Sequence, residues 1–167
     1  MHPALATVAE AARGTPFENQ LWLVGGAVRD ELLSLGEGEA SASQTDFDIV
    51  LEGDALALAR LLREKGASSI APVVYPRFGT AMVHVAGSNV ELVTARRESY
   101  EATSRKPNVE PATLYEDAQR RDFTVNTLMR NLHTGELRDP LGVGLRDLEA
   151  RVLRTPVDPS RTFYDDP

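Results

Sequence analysis

The chain has no cysteine, only three histidines and a single tryptophan among its 167 residues. Without thiols there are no disulfides, no thiolate nucleophile and no Cys-ligated zinc, a composition that fits a reducing, cytoplasmic setting. His2, His84 and His133 are scattered without metal-ligand spacing and read as structural. No run approaches the roughly 20 apolar residues needed to span a membrane. The N-terminus shows no basic segment leading into a long apolar stretch, so neither a signal peptide nor a membrane partner is expected. Positive charge is in the minority: 18 Lys and Arg stand against 25 Asp and Glu, a net charge of −7. Bulk charge therefore does not equip the chain to grip a long nucleic acid. A local basic groove is still open to Arg96, Arg97, Arg105, Lys106, Arg120 and Arg121 if the fold gathers them. There is no Ser/His/Asp set, no G-x-S-x-G turn and no P-loop, which argues against acyl transfer and the P-loop class of nucleotide hydrolysis.

What is present is a chain 42% hydrophobic and 26% charged, enough for one packed domain. Its organising stretch runs from Leu23 to Leu51. Leu23-Val24-Gly25-Gly26-Ala27-Val28-Arg29-Asp30 reads as a strand, a glycine turn and a helix start. Asp46-Phe47-Asp48-Ile49-Val50-Leu51 reads as a second strand. Side chains two apart on a strand share a face, so Asp46 and Asp48 project together while Phe47 and Ile49 turn the other way. Such a pair either faces solvent or brackets a cation, since two like charges this close are unfavourable without one. Mg²⁺ takes oxygen ligands of this kind, commonly one or two carboxylates plus substrate phosphates. A glycine turn entering a helix suits phosphate, because unpaired N–H groups and the helix dipole point there. The two features together point to a metal–nucleotide site.

The rest of the chain supplies the frame. Residues 4–13 read as an amphipathic helix, 20–24 as a buried strand and 27–35 as a helix with Val28, Leu32 and Leu35 inward. Residues 36–44 are loop by composition. Asp54 caps a helix that runs to about Lys65 and stops at Gly66. Strands over 70–75, 78–85 and 89–95 form an antiparallel hairpin, which carries Glu91. That carboxylate faces solvent, or joins Asp46 and Asp48 if the hairpin pairs beside strand 46–51. Residues 96–112 read as a mobile loop and 113–130 as helical with a break near Asp122. Asp122 and Asn126, four apart, would share a helical face, as a plain polar pair or as a grip on a sugar and a phosphate. A small hairpin around His133-Thr134-Gly135, a short helix ending near Leu148 and a last strand over 151–155 complete the reading.

LVGGAVRD, DFDIV, VELVTARRESY, RRDFTVNTL and RDPLGVGLRDLEARVLR occur in this order from about residue 20 onward. The series resembles the catalytic head of the tRNA nucleotidyltransferase and bacterial poly(A) polymerase family, within the DNA-polymerase-β-like nucleotidyltransferases. The resemblance implies an α+β head with a mixed, mainly antiparallel sheet of about five strands and helices on one side. It implies that Asp46 and Asp48 bind two Mg²⁺ ions and that Glu91 is the third acidic residue. Gly25, Gly26 and Arg29 would hold the triphosphate of the incoming nucleotide, and Arg121, Asp122 and Asn126 its phosphate and ribose.

The implied reaction adds C and/or A from CTP and ATP to a tRNA 3′ end. Poly(A) synthesis, CC-only or A-only addition, and a head that binds Mg-nucleotide with little activity alone are the alternatives. Three departures stand out: the long interval from Gly26 to Asp46, Val143 between Gly142 and Gly144, and Thr127 where relatives often carry Ala. Relatives continue into a helical neck that selects the base and into further domains that hold the tRNA. Residues 1–155 are thus expected to form the head, 156–167 to begin the link to that neck, and the chain to be an excised head domain or a truncated chain.

Overall fold

The computed structural model describes residues 1–37, 46–99, 108–160 and 162. The stretch 38–45, the segment 100–107 with Arg105 and Lys106, the last residues 163–167 and the side chain of Leu35 lie outside the described residues. In chain order the elements are α1 (Pro3–Ala12), β1 (Trp22–Val24), α2 (Gly26–Glu37), β2 (Asp46–Leu51), α3 (Ala55–Glu64), β3 (Val73–Tyr75), β4 (Thr80–Val85) and β5 (Ser88–Thr94). Then follow β6 (Arg96–Ser99), β7 (Asn108–Pro111), α4 (Leu114–Gln119), β8 (Met129–Asn131), β9 (Leu137–Arg138) and α5 (Gly144–Glu149). The expected α+β class holds, and the sheet is larger than the five strands expected. Seven strands run in the order β3-β4-β5-β2-β1-β8-β9. Among the described residues every pairing in this sheet is antiparallel except β2 with β5.

Period-two alternation divides the sheet into two faces. Leu23, Ile49, Leu51, Ala81, Val83, Val90 and Leu92 pack beneath α1 and α3 as the main core, which also takes in Val28 of α2. Leu58 and Leu62 of α3 are fully buried there, each stabilising by roughly 1.5–3 kcal/mol. Trp22, Val24, Val50 and Met129 point to the opposite face, where Leu114 and Ala118 of α4 cover part of it. The helices are therefore not all on one side. The uncovered part of this second face is where Asp46 and Asp48 emerge, giving β2 its exposed–buried–exposed–buried start.

Three local expectations are corrected. Arg96–Ser99 and Asn108–Pro111 are not loop but pair as an antiparallel ribbon, β6–β7. The helix begun at Leu114 stops at Gln119, because Asp122 turns its carboxylate onto the Phe123 N–H at 2.7 Å and Phe123 is extended. After a single 3₁₀ turn over Thr124–Asn126 the chain joins the sheet, with Val24 and Trp22 of β1 pairing Met129 and Asn131. Residues 151–155 join no sheet. Arg151 takes a left-handed φ of 55°, and the following segment lies along the 3₁₀ turn, Thr124 N–H donating to the Arg154 carbonyl at 2.8 Å. The histidines are structural as read for His2 and His133. His2 caps α1 with its ring 4.8 Å from Phe47, and His133 receives the Asn19 N–H and reaches the Ala9 carbonyl.

Candidate active site

Strand register gathers the acidic residues. Val24, Asp48 and Glu91 are successive partners across β1, β2 and β5, and Asp46 pairs Asn89. Directly paired residues present side chains on the same face. Asp46, Asp48 and Glu91 therefore share the open face, and the hairpin does lie beside β2 as the sequence left open. The turn after Val24 brings in Gly25 at φ +81°, a region that favours glycine. A Cβ there would come within 3.3 Å of the Asp48 Oδ2. The glycine thus lets the start of α2 lie directly against the carboxylate. The first N–H groups of α2 have no partner within the helix, so an anion-attracting helix end stands beside an acidic pair.

The basic side chains flank this row. Arg29, on the first turn of α2, is held by Asp30 at 2.8 Å and by the Asn126 side-chain oxygen at 2.8 Å. The Asn126 amide nitrogen in turn donates to both Asp122 oxygens at 3.0 and 3.1 Å. The Asp122–Asn126 contact exists, though across a turn rather than along a helix. Arg121 is fixed by Asp117, which accepts from Arg121 Nη2 at 3.1 Å, from Arg120 Nε at 3.0 Å and from the Arg96 backbone N–H at 3.3 Å. Asp117 is fully buried. The basic groove is therefore partly formed. Arg96, Arg120 and Arg121 converge, whereas Arg97 turns outward onto Glu110 and Glu116.

Electrostatics mark the acidic row as crowded. Partial burial raises the Asp48 proton affinity most, Arg121 opposes it, and the charge of Asp46 raises it further. Glu91 is raised likewise by burial and then by Asp48, against the pull of Arg96, Arg120 and Arg121. Carboxylates held together at some electrostatic cost are a fitting cradle for a hard divalent cation. Among the described residues, no group of three or more His, Asp or Glu side chains forms a ready-made metal cage. Asp46 and Asp48 supply only oxygen donors, and the open face leaves room for phosphate oxygens to complete the shell, which is how Mg²⁺ is commonly held.

Two contacts escape any motif. Asn89 donates its side-chain N–H to Asp46 Oδ1 at 3.0 Å, and its own oxygen meets His84 Nδ1 at 3.2 Å. His84 is thus more than a packing residue. The Ala86-Gly87 turn sets Asn89 opposite His84, but its place across from Asp46 depends on the parallel pairing of β2 with β5. Asp117 as the hub of three arginines carried no local signal, since one of its partners, the Arg96 backbone N–H, lies 21 residues away.

A twisted mixed sheet with paired carboxylates on a strand beside a glycine-turned helix defines a nucleotidyltransferase-type head. The family described as Poly A polymerase head domain matches residues 21–154, and the chain belongs to that family. The A-adding tRNA nucleotidyltransferase of Aquifex aeolicus is 40% identical over 151 residues, covering 87% of this chain and 17% of that protein. The CC-adding tRNA nucleotidyltransferase of Deinococcus radiodurans is 40% identical over 159 residues, 89% of this chain and 38% of that one. Among solved structures, a tRNA nucleotidyltransferase complexed with a primer tRNA and an incoming ATP analog superposes with a TM-score of 0.66 at 37% identity, over 89% of this chain and 38% of its own. The chain spans less than two fifths of each of these proteins.

Proposed function

We propose that this chain is the catalytic head of an enzyme that adds C and/or A nucleotides to the 3′ end of tRNA, using CTP and ATP. The observation that carries this reading is the row Asp48–Glu91 with Asp46 beside it, lying against the Gly25 turn and flanked by Arg29 and Arg121. The relatives' printed activities, A-adding and CC-adding, agree with it.

In this reading Asp46 and Asp48 hold Mg²⁺, and Gly25 and Gly26 offer backbone N–H groups to the triphosphate. Arg29 neutralises charge on the departing end of that triphosphate, and Asn126 and Asp122 fix Arg29 and the ribose. Arg121, steadied by Asp117, faces the phosphate from the other flank. Glu91 completes the acidic row on the side away from the glycine turn. When bound, Mg²⁺ supplies activation of the acceptor 3′-hydroxyl and charge neutralisation on the phosphates. The hydroxyl gives up its proton to solvent as its oxygen bonds to the α-phosphorus, the α–β phosphoanhydride bond breaks, and pyrophosphate leaves. Fixed arginines and backbone dipoles that need no rearrangement supply electrostatic stabilisation.

Poly(A), CC-only and A-only synthesis use the same head chemistry. A head that binds Mg-nucleotide with little turnover is a second reading, favoured by the small share of its relatives that the chain spans. Incubating the chain with tRNA lacking its 3′ terminus and labelled CTP or ATP decides between them. Incorporation abolished by Asp48→Ala supports a catalytic head, and nucleotide binding without incorporation supports the second reading. The absence of both rejects the proposal.

A further inference from the structure

Beyond Glu91 the open face continues across two more strands, β4 and β3, to the edge of the sheet, outside the acidic row. The register places Met82 of β4 beside Glu91 and Val73 of β3 beside Met82; in the next row Thr80 of β4 pairs Tyr75 of β3. Ala81, Val83 and Val85 point into the main core, so Thr80, Met82 and His84 point to the opposite face, with Val73 and Tyr75 alongside. Val73 is 51% exposed and Tyr75 49%. An aromatic and an aliphatic side chain thus stand open to water at the edge of this face. Arginine borders them. Arg96 Nη1 lies 3.3 Å from Thr80 Oγ1 and 2.6 Å from the Phe78 carbonyl, and the Phe78 ring has the Arg77 and Arg96 guanidiniums each 5.9 Å from its centroid.

We infer that this edge, Tyr75 and Val73 with Arg96 behind them, is the platform on which the last bases of the RNA acceptor strand stack. The inference rests on the nucleotidyl-transfer reading above. In phosphoryl transfer the attacking and leaving oxygens lie roughly in line. With the triphosphate at the Gly25 turn and Arg29, on the β1 side of the carboxylates, the acceptor hydroxyl must arrive from the β5 side. Strands are about 4.8 Å apart, so β3 lies roughly 10 Å beyond Glu91, within the reach of one nucleotide whose hydroxyl sits at the acidic row. Exposed aromatic side chains next to arginine are the means by which single strands are held without sequence preference. Such indifference suits a site whose terminal base would change with each addition.

The test uses the whole chain and an RNA whose 3′-terminal base is the fluorescent analogue 2-aminopurine, titrated in the presence of Mg²⁺, with MgATP binding measured in parallel. Wild type and Tyr75→Phe should quench the fluorophore alike. Tyr75→Ala should lose the quench and bind the RNA about tenfold more weakly, with MgATP binding unchanged in all three. Equal quenching and affinity in Tyr75→Ala overturns the platform while leaving the nucleotidyl-transfer reading intact. No MgATP binding in wild type overturns that reading, and the platform with it. Sedimentation showing a dimer that Tyr75→Ala dissolves assigns the β3 edge to a second copy of the chain and also overturns the platform.

Discussion

Asp48 and Glu91 are direct partners on β2 and β5, the one parallel pair in the sheet among the described residues. Parallel pairing lets residues from strands far apart in sequence meet at matching positions, and here it sets two carboxylates side by side. The charge of Asp48 is itself one of the causes that raise Glu91. Function and stability oppose each other at this point.

That opposition has a definite pH sign. Both groups bind protons more readily in the folded chain than in the unfolded one. Stability therefore falls as pH rises through the window between the unfolded and folded values, and the deficit is complete above the folded values. Asp48→Asn and Glu91→Gln should each raise the melting temperature at neutral pH. The gain should vanish below the ordinary carboxylate range, where wild type is protonated in both states. Thermal melts of the three proteins against pH check this. A gain that persists in acid would contradict it.

Gly25→Ala should be costly twice over. The left-handed φ disfavours any Cβ by about 1–2 kcal/mol, and the new carbon would press on Asp48 Oδ2. Urea denaturation should show a loss of that order. Gly135→Ala shares the positive φ but has open space around it. It should carry only the backbone cost and leave nucleotide binding untouched.

How much of this was readable beforehand depends on the range of the forces involved. Asp46 and Asp48 on one face, the Asp54 cap and the Gly25 turn follow from neighbours within a few residues, and all are found as read. The helix expected through 130 failed because pairing with β1 overrode local propensity at Met129–Asn131. The β6–β7 ribbon escaped because its strands are short and its partner residues, such as Arg97 and Glu110, are 13 apart. The contact of Asn89 with Asp46 and the buried hub at Asp117 depend on register and packing, which no local motif encodes.

Asp147 gives a prediction of the opposite pH sign. Almost wholly buried, it accepts from Arg154 Nε at 2.9 Å and Thr124 Oγ1 at 2.7 Å, and the Arg154 and Thr124 hydrogen bonds hold its carboxyl below the usual range. Its contribution is complete above the unfolded value and is lost as pH falls through the folded one. Asp147→Asn should cost about 2 kcal/mol at neutral pH, and the cost should shrink in acid. Denaturation curves at neutral and acid pH test the difference.

Asn126 ties Arg29 of α2 to the turn after α4. Asn126→Ala should free that arginine and raise the KM for nucleotide about tenfold, the loss of one charge-assisted hydrogen bond. The effect on kcat and on folding should be smaller. Steady-state kinetics beside a thermal melt distinguishes this from a general loss of structure.

The most direct measurement is calorimetric titration of CTP and ATP into the chain with and without Mg²⁺, repeated with Asp46→Asn and Asp48→Asn. Binding that requires the cation and fails in both variants, with melting temperatures at or above wild type, is the predicted result. Cation-independent binding, or full affinity in either variant, would contradict the assignment of this acidic row to metal-assisted nucleotide transfer.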